Sequence, residues 1–442
     1  MEVETATNER PRWRQFLWRC LDGFICIFIL APLVVLYWRG SFQLLDYYVY
    51  PRYPHPYYPV VPDSTGLKIS GAITLVIGIC GTIVANVLQT ILHQRIHEKR
   101  RGVLQLFLKR IYTYTFGWII VCHWRGVFRV WDGFTGTDVF SGIYCFSSGV
   151  ILLILLKSFR NVVAPPLVTV SDFDKNYFFI KTRFRRKPWG AAYFLDTIFS
   201  IVVPGSLVAF VWRGQWSILD HVFKRDSMVE SFVISAALGF GIVVMLFALQ
   251  DQAGKVSAAM ERRGWTWAKI AFEDLFFYIA ALGAVNIWRS IWGLCDELLL
   301  KGQWALSNWV CHIVGGFGTM LLLHGNSVLV RDVQIDGEYP NGEGCRFFSK
   351  SLTFFENRAD KQKRKQQQTN GIPAEIPDIS TAAVDEKPVK IYRKLPAAKP
   401  ADVGVQSDQL EHLLSGNRVR DIPTIEITQY EDRRPSIRRL SV

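Results

Sequence analysis

The chain has 442 residues, of which 50% are hydrophobic and 14% aromatic, and its formal net charge is +13 at pH 7. Its positive mean hydropathy of +0.16 argues against a soluble globular protein, because a soluble domain needs more charged surface. The sequence lacks the glycine-rich, nucleophile and metal-binding motifs of the common enzyme classes. It therefore predicts a protein that is not an enzyme and uses no cofactor or metal.

Eight apolar stretches follow one another along the chain, each near the length that a helix needs to cross the hydrocarbon core of a bilayer. They are residues 21–38, 67–92, 104–123, 139–157, 191–212, 228–249, 270–288 and 308–324. We therefore predict an all-α polytopic membrane protein of eight transmembrane helices. Lys and Arg concentrate in segments 10–19, 93–110, 157–187 and 255–269. The positive-inside rule then predicts cytoplasmic N- and C-termini.

Four stretches of nine residues share one pattern, Trp-Arg-small-x-aromatic-x-aliphatic-x-Asp. They are WRGSFQLLD (38–46), WRGVFRVWD (124–132), WRGQWSILD (212–220) and WRSIWGLCD (288–296). Each lies at the end of an odd-numbered span, so all four are expected on the outer side. Recurrence at this spacing predicts that the protein is built from four two-helix repeats.

A second similarity links the first and third repeats. Asp22 and Asp196 stand at the same distance before the motif tryptophan, and Pro32 and Pro204 lie inside the two spans. This predicts two parallel four-helix halves. The expected domains are an N-terminus (1–20), a first half (21–165), a basic cytoplasmic linker (166–190), a second half (191–330) and a disordered cytoplasmic tail (331–442).

The motif residues have different expected roles. The tryptophans Trp38, Trp124, Trp212 and Trp288 are expected at the boundary of the hydrocarbon layer, which suits an amphipathic indole. The arginines Arg39, Arg125, Arg213 and Arg289 are expected to pair with the aspartates Asp46, Asp132, Asp220 and Asp296, because a guanidinium binds a carboxylate through two parallel bonds. The sequence leaves open whether each pair forms within a repeat or between repeats in a ring. It also leaves open whether the pairs are a structural clasp or line a vestibule for an ion or ligand.

Three further groups of residues suggest smaller roles. Small residues four apart, such as Thr74 with Gly78 and Ser235 with Gly239, indicate close helix packing. Cys20 and Cys345 flank the spans and are candidates for palmitoylation. Acidic residues near the inner ends of the odd spans fit either ion-coupling sites or interfacial ion pairs. They are Asp22, Asp196, Glu273 and Asp274.

The last hundred residues differ in composition from the rest and carry short signals for partners. Their basic runs predict attraction to the anionic lipids of the inner leaflet rather than to nucleic acid. Ser436 and Ser441 follow paired arginines at the spacing that basophilic kinases favour. Leu440, Ser441 and Val442 form a carboxy terminus of the type that a PDZ scaffold binds as an added strand.

The four motifs, the eight spans and a first outer loop rich in Pro and Tyr (47–63) together resemble the Fuseless family of eight-pass membrane proteins. The most distinctive stretches are WRGVFRVWD and WRGQWSILD, whereas Ser290 replaces the glycine of the other motifs. The resemblance implies a presynaptic plasma-membrane protein, without enzymatic activity, that helps to localise voltage-gated calcium channels at active zones and supports neurotransmitter release. The alternative is a transporter or channel for a small solute or ion, which internal repeats would also fit.

Overall fold

The computed structural model describes residues 12–49, 64–98, 102–223 and 226–347, and within these ranges the chain forms ten α-helices and no β-strand. Two pairs of helices are continued through a π-helical turn. α1 (Arg12–Ile25) and α2 (Ala31–Tyr48) flank the turn Cys26–Leu30, and α6 (Ala191–Ser200) and α7 (Ser206–Val222) flank the turn Ile201–Gly205. The others are α3 (Ser64–Leu92), α4 (Val103–Thr135), α5 (Val139–Leu155), α8 (Met228–Arg262), α9 (Thr266–Leu298) and α10 (Trp304–Leu321).

The all-α prediction is confirmed, and five helical segments are long and apolar enough to cross a membrane. They are Phe16–Tyr48, Ser64–Glu98, Ala191–Val222, Met228–Arg262 and Thr266–Leu298. Helix α5 is apolar but shorter, with 17 residues. The full set of eight crossings, and their origin by repetition, stay predictions.

The helices form a closed arrangement of central and peripheral members. The central helices α2, α4, α7 and α9 contact one another in a ring. Each peripheral helix packs most extensively on one central helix: α3 on α4, α5 on α7, α8 on α9 and α10 on α2. A peripheral helix therefore packs on the central helix that follows it in sequence, and α10 closes the ring by returning to α2.

Glycines allow each peripheral helix to approach its central helix closely. Gly239 of α8 illustrates the geometry, because a Cβ atom added there would lie 2.6 Å from the backbone nitrogen of Ile287 in α9. Gly78, Gly149 and Gly315 meet α4, α7 and α2 in the same way. Each of these glycines abuts the residue just before a motif tryptophan: His123, Val211, Ile287 or Tyr37. Backbone contact of this kind supplies the van der Waals packing on which helix association in lipid depends.

The π-helical turns that join α1 to α2 and α6 to α7 lie in the helices that carry the Asp and Pro pattern of the first and third repeats. Pro204 lies inside its turn and Pro32 is at the start of α2, and a proline removes a backbone donor from the helix. Phe28 of the first turn stacks on Phe240 of α8, with ring centroids 5.2 Å apart. On the other side α6 contacts α3.

The two segments that follow α5 and α10 brace each other beside the central helices. Asp336 accepts hydrogen bonds from the backbone N–H groups of Phe159 (2.8 Å) and Arg160 (2.9 Å), at the start of the short helical turn Phe159–Val162. Asp172 in turn accepts from the N–H of Asn326 (3.1 Å) in the corresponding turn Gly325–Val328. Each of these two segments thus caps a turn that belongs to the other segment. Burial raises the pKa of Asp336 to about 6.

Two segments that were predicted as linker and tail contribute to the folded part of the chain. The predicted basic cytoplasmic linker, residues 166–190, includes Leu167, Tyr177 and Phe178, which are buried in the core. Residues 331–347 are folded rather than part of a tail, and Phe347 stacks on Phe276 with ring centroids 5.2 Å apart. The apolar periodicity that sequence analysis relies on is absent from both segments because neither forms a regular helix. Residues 348–442 lie outside the described residues.

Candidate functional site

The four motifs lie inside helices rather than at their ends. Each of α2, α4, α7 and α9 runs through its motif and ends two or three residues after the motif aspartate. The tryptophans are therefore far from the helix ends, and they are buried, with exposed fractions of 3–7%. Their expected position at the boundary of the hydrocarbon layer stays a prediction. They serve as packing residues at the centre of the bundle.

The four indoles form a ring in which each packs edge to face on its two neighbours. The ring centroids are 5.3 Å apart for Trp38 and Trp124, 5.7 Å for Trp124 and Trp212, 5.1 Å for Trp212 and Trp288, and 5.6 Å for Trp288 and Trp38. Such T-shaped contacts are favoured because the positive ring edge meets the negative ring face. The tryptophan ring thus occupies the place where the four central helices meet.

Three of the indoles donate hydrogen bonds to the segments that follow α5 and α10. The Nε1–H groups of Trp38, Trp212 and Trp288 donate to the backbone carbonyls of Val328 (2.8 Å), Val162 (2.8 Å) and Pro165 (2.9 Å). A buried indole N–H needs an acceptor, and irregular backbone supplies carbonyls that no helix uses. The segments around 162–165 and 328 therefore close the ring from one side.

The motif arginines and aspartates form a second ring, and every pair joins two different motifs. Each arginine binds the aspartate of the preceding motif: Arg125 to Asp46 at 2.8 Å, Arg213 to Asp132 at 2.9 Å, and Arg289 to Asp220 at 2.7 Å. Arg39 of the first motif binds Asp296 of the last at 2.7 Å, which completes the ring. Of the two arrangements that the sequence left open, the structure shows pairing between motifs.

The remaining arginine donors are satisfied by small polar residues of the peripheral helices. Arg289 donates to the hydroxyls of Ser231 (2.8 Å) and Ser235 (2.7 Å), and Arg125 donates to those of Ser70 (2.7 Å) and Thr74 (3.1 Å). The corresponding acceptors are Ser141 and Cys145 for Arg213, and Cys311 for Arg39. These contacts explain why the arginines can be buried, with exposed fractions of 0–3%.

Sequence analysis missed this set of acceptors, although a signal for it exists. Each peripheral helix carries Ser, then Ser, Thr or Cys four residues later, then Gly four residues after that. The four instances are Ser70-Thr74-Gly78, Ser141-Cys145-Gly149, Ser231-Ser235-Gly239 and Ser307-Cys311-Gly315. The sequence analysis interpreted only fragments of this pattern, as packing. In the full pattern, the acceptors for a motif arginine and the glycine that contacts the central helix lie on the same face of the peripheral helix.

The ring of ion pairs is uneven, because the sixth residue of the motif differs between copies. Arg129 has this position in the second motif, where it binds both Asp46 (2.5 Å) and Asp132 (3.0 Å). The side chains of Asp46 and Asp132 are only 5% and 8% exposed. Those of Asp220 and Asp296 are 48% and 36% exposed. One side of the ring is therefore enclosed and the opposite side is open.

A cavity of about 270 Å³ lies between the tryptophan ring and the ring of ion pairs. A second set of aromatic residues, from the fifth position of each motif, forms its wall: Phe42, Phe128, Trp216 and Trp292. Arg129, Asp132, Arg213 and Asp220 also line it. Among the described residues no group of His, Cys, Asp and Glu has the arrangement of a metal site.

The acidic residues near the other ends of the central helices have structural contacts. Asp196 accepts bonds from the hydroxyl of Thr182 (2.7 Å) and the backbone N–H of Phe184 (3.0 Å), so it holds the segment before α6. Glu273 accepts from the hydroxyl of Ser257 at 2.6 Å. Asp22 and Asp274 are also buried. The expected pairing of Asp196 with an arginine side chain is replaced by bonds to backbone and hydroxyl groups.

Of the modification sites predicted from sequence, the structure describes the two cysteines. Cys345 is fully buried, and burial raises the pKa of its thiol to about 12, so both accessibility and thiolate formation oppose acylation there. Cys20 is half-buried on α1. Ser436, Leu440, Ser441 and Val442 lie outside the described residues.

Comparison with known proteins supports one assignment. Neither the curated proteins nor the solved structures give a match. The family model described as Fuseless matches residues 17–329, which include all four motifs, both aromatic sets and every peripheral helix of the site. The chain belongs to the Fuseless family.

Proposed function

We propose that this membrane protein is a non-enzymatic organiser that positions voltage-gated calcium channels at presynaptic active zones and so supports neurotransmitter release. The channel and the synapse come from what the Fuseless family implies. The structural observation that supports the proposal best is the closed ring of four ion pairs, each between different motifs. It joins all four central helices into one unit that offers fixed surfaces to partners.

The tryptophan ring favours an organiser over a conduit. A pathway for an ion or polar solute along the bundle axis needs water or polar groups, because an ion is costly to move through an apolar environment. On this axis four buried indoles contact one another, and three of them are tied to the backbone below. Opening such a path requires separation of the central helices and loss of several buried ion pairs.

The proposal includes a location and a set of contacts for the rest of the chain. The protein is placed in the plasma membrane with both termini in the cytoplasm, and its basic segments lie at the anionic inner leaflet. The carboxy terminus Leu440-Ser441-Val442 binds a PDZ scaffold, and phosphorylation of Ser441 opposes that binding by adding charge at the recognised strand. Ser436 and Cys20 are further sites of modification.

A rescue experiment in neurons that lack this protein tests the proposal. Calcium-channel density at active zones is measured by immunolabelling after expression of the full chain, of a chain without Val442, and of Arg289→Met, which breaks one pair of the ring. We expect the full chain to restore channel density, the shortened chain to restore less, and the Arg289→Met variant to fail. Channel density that does not depend on the protein at all would refute the organiser function.

The alternative, a transporter or channel, is favoured by one observation, the cavity enclosed by the two aromatic sets. Purified protein reconstituted in liposomes distinguishes the two functions. Solute or ion flux that requires the protein and saturates with substrate would support the alternative over the organiser. Absence of such flux, together with the rescue described above, is the result we expect.

A further inference from the structure

We propose that the cavity between the tryptophan ring and the ring of ion pairs binds a small quaternary ammonium ion. This proposal is independent of calcium-channel positioning, since an organiser and a transporter could each use such a site. It rests on the cavity wall, on the state of the charged groups that face the cavity, and on the cavity size.

Eight aromatic rings line the cavity, together with Arg129, Asp132, Thr137, Arg213, Ser217 and Asp220. Below lie the four motif tryptophans, and around the sides lie Phe42, Phe128, Trp216 and Trp292. Phe42 and Trp292 are in contact at 5.5 Å between ring centroids, and Trp216 and Trp292 at 5.6 Å. Aromatic rings attract cations electrostatically, and enclosures of several rings are the environment in which quaternary ammonium groups are recognised.

The two arginines that line the cavity are both hydrogen-bonded to carboxylates. Arg213 donates to Asp132, to Cys145 and Ser141, and to the carbonyl of Gly136 (2.6 Å). Arg129 directs its donors to Asp46 and Asp132. The donors of both guanidinium groups are thus occupied. Asp46 also accepts from Arg125 as a third partner of these two carboxylates, so a bound cation depends on a further carboxylate.

Asp220 is the carboxylate that remains available. Its Oδ1 accepts from Arg289, whereas Oδ2 makes no hydrogen bond to any described residue, and the side chain is 48% exposed. Because Asp220 lines the cavity, it supplies negative charge beside the aromatic rings. A quaternary ammonium needs no hydrogen-bond acceptor, so rings and a nearby carboxylate are sufficient to recognise it.

The size of the cavity restricts the ligand. About 270 Å³ lies just below the range of sites that bind drug-sized molecules, roughly 300–1,000 Å³. The cavity thus has room for a head group of the size of choline. These features together assign the site to a small organic cation without ammonium protons.

Binding of radiolabelled choline to the purified full chain in lipid nanodiscs tests the proposal. Unlabelled tetramethylammonium and 3,3-dimethylbutan-1-ol, the uncharged carbon analogue of choline, serve as competitors. We expect saturable binding that tetramethylammonium displaces and that the alcohol fails to displace. Equal displacement by the alcohol would show an apolar cavity without preference for charge, and it would overturn the proposal.

Two pairs of variants locate the site. Asp220→Asn keeps an oxygen for Arg289 but removes the charge, and we expect choline affinity to fall about tenfold or more. Glu297→Gln, which removes a carboxylate at the C-terminal end of α9 that does not line the cavity, is the control. Thr137→Lys adds a cation to the exposed part of the wall without breaking any ion pair, and Thr137→Gln is its uncharged match.

The Thr137 pair keeps the test decisive even if Asp220→Asn weakens folding. We expect Thr137→Lys to abolish binding and Thr137→Gln to retain it, with unchanged thermal unfolding of both proteins. Choline affinity that is the same in all four variants would place any binding elsewhere. No saturable binding to the folded wild-type protein would also refute the site.

Discussion

Arg125 of α4 and Asp46 of α2 form a buried ion pair, with 2.8 Å between Nε and Oδ1, although their motifs lie far apart in sequence. Both side chains are almost inaccessible, at 0% and 5% exposed. In lipid or protein interior such a pair is retained only when both charges are bonded, because an isolated charge there is very costly. The same relationship, repeated around four helices, makes each central helix depend on its neighbour.

The ring predicts which pairs of residues are energetically coupled. Arg289→Met and Asp220→Asn each break the same ion pair, so the double variant should be less destabilised than the sum of the singles, by ~1–3 kcal/mol in the free energy of unfolding. Arg213→Met with Asp220→Asn is the control. These residues share a motif but lie roughly 10 Å apart along the helix. Denaturant unfolding of the purified protein measures both cycles, and coupling confined to the control would contradict the ring.

The hydroxyl acceptors on the peripheral helices should contribute to stability through the arginines they bind. Thr74→Val keeps the shape of the side chain but leaves a donor of Arg125 without its partner, at a cost of ~1–3 kcal/mol. Thr74→Ser keeps the hydroxyl and is the matched control. Thermal unfolding of the two variants compares them directly. Equal stability of Val and Ser at this position would mean that the bond to Arg125 contributes nothing.

Two glycines of α8 give a test of close helix packing. A Cβ at Gly239 would lie 2.6 Å from the backbone of Ile287, whereas a Cβ at Gly241 would meet nothing within 4 Å. We expect Gly239→Ala to separate α8 from α9 and to lower surface expression and the melting temperature. Gly241→Ala should be neutral or slightly stabilising, because alanine favours the helix by ~1 kcal/mol. The prediction fails if both variants behave alike.

Asp336 should make stability depend on pH. Burial raises its pKa to about 6 in the folded protein from an ordinary value near 3.8. Between these values the folded state binds more protons than the unfolded state, so the free energy of unfolding falls as the pH rises from about 4 to about 6.

The variant Asp336→Asn isolates this contribution, because the amide keeps an acceptor for the turn Phe159–Val162 and does not titrate. The free energy of unfolding of the wild type, relative to that of the variant, should fall by up to ~3 kcal/mol between pH 4 and pH 6. Above pH 7 this difference should no longer change. Unfolding of both proteins at a series of pH values gives the comparison. A constant difference across this range would show that the carboxyl group has no raised pKa.

The sequence alone determined the helical class, the four motifs and the chemical type of the site. Apolar stretches of membrane-spanning length identify helices because the backbone must satisfy its own hydrogen bonds in lipid. Arginine and aspartate at a fixed spacing predict ion pairs because neither charge can be buried alone. The Asp and Pro pattern of the first and third repeats falls on α1–α2 and α6–α7, the helix pairs joined by π-helical turns, which the sequence analysis did not predict.

Only the tertiary structure decided which residues meet. Arg213 and Asp220 lie on one helix face, but they are separated by almost two helical turns, so their partners depend on the order of helices around the bundle. That order, in which α3 packs on α4 and α10 returns to α2, is a property of long-range packing. The burial of Trp212, its bond to the carbonyl of Val162 and the enclosure of the aromatic cavity follow from the same arrangement. Local sequence fixes the direction of a side chain on its helix, whereas its neighbours are set by segments distant in the chain.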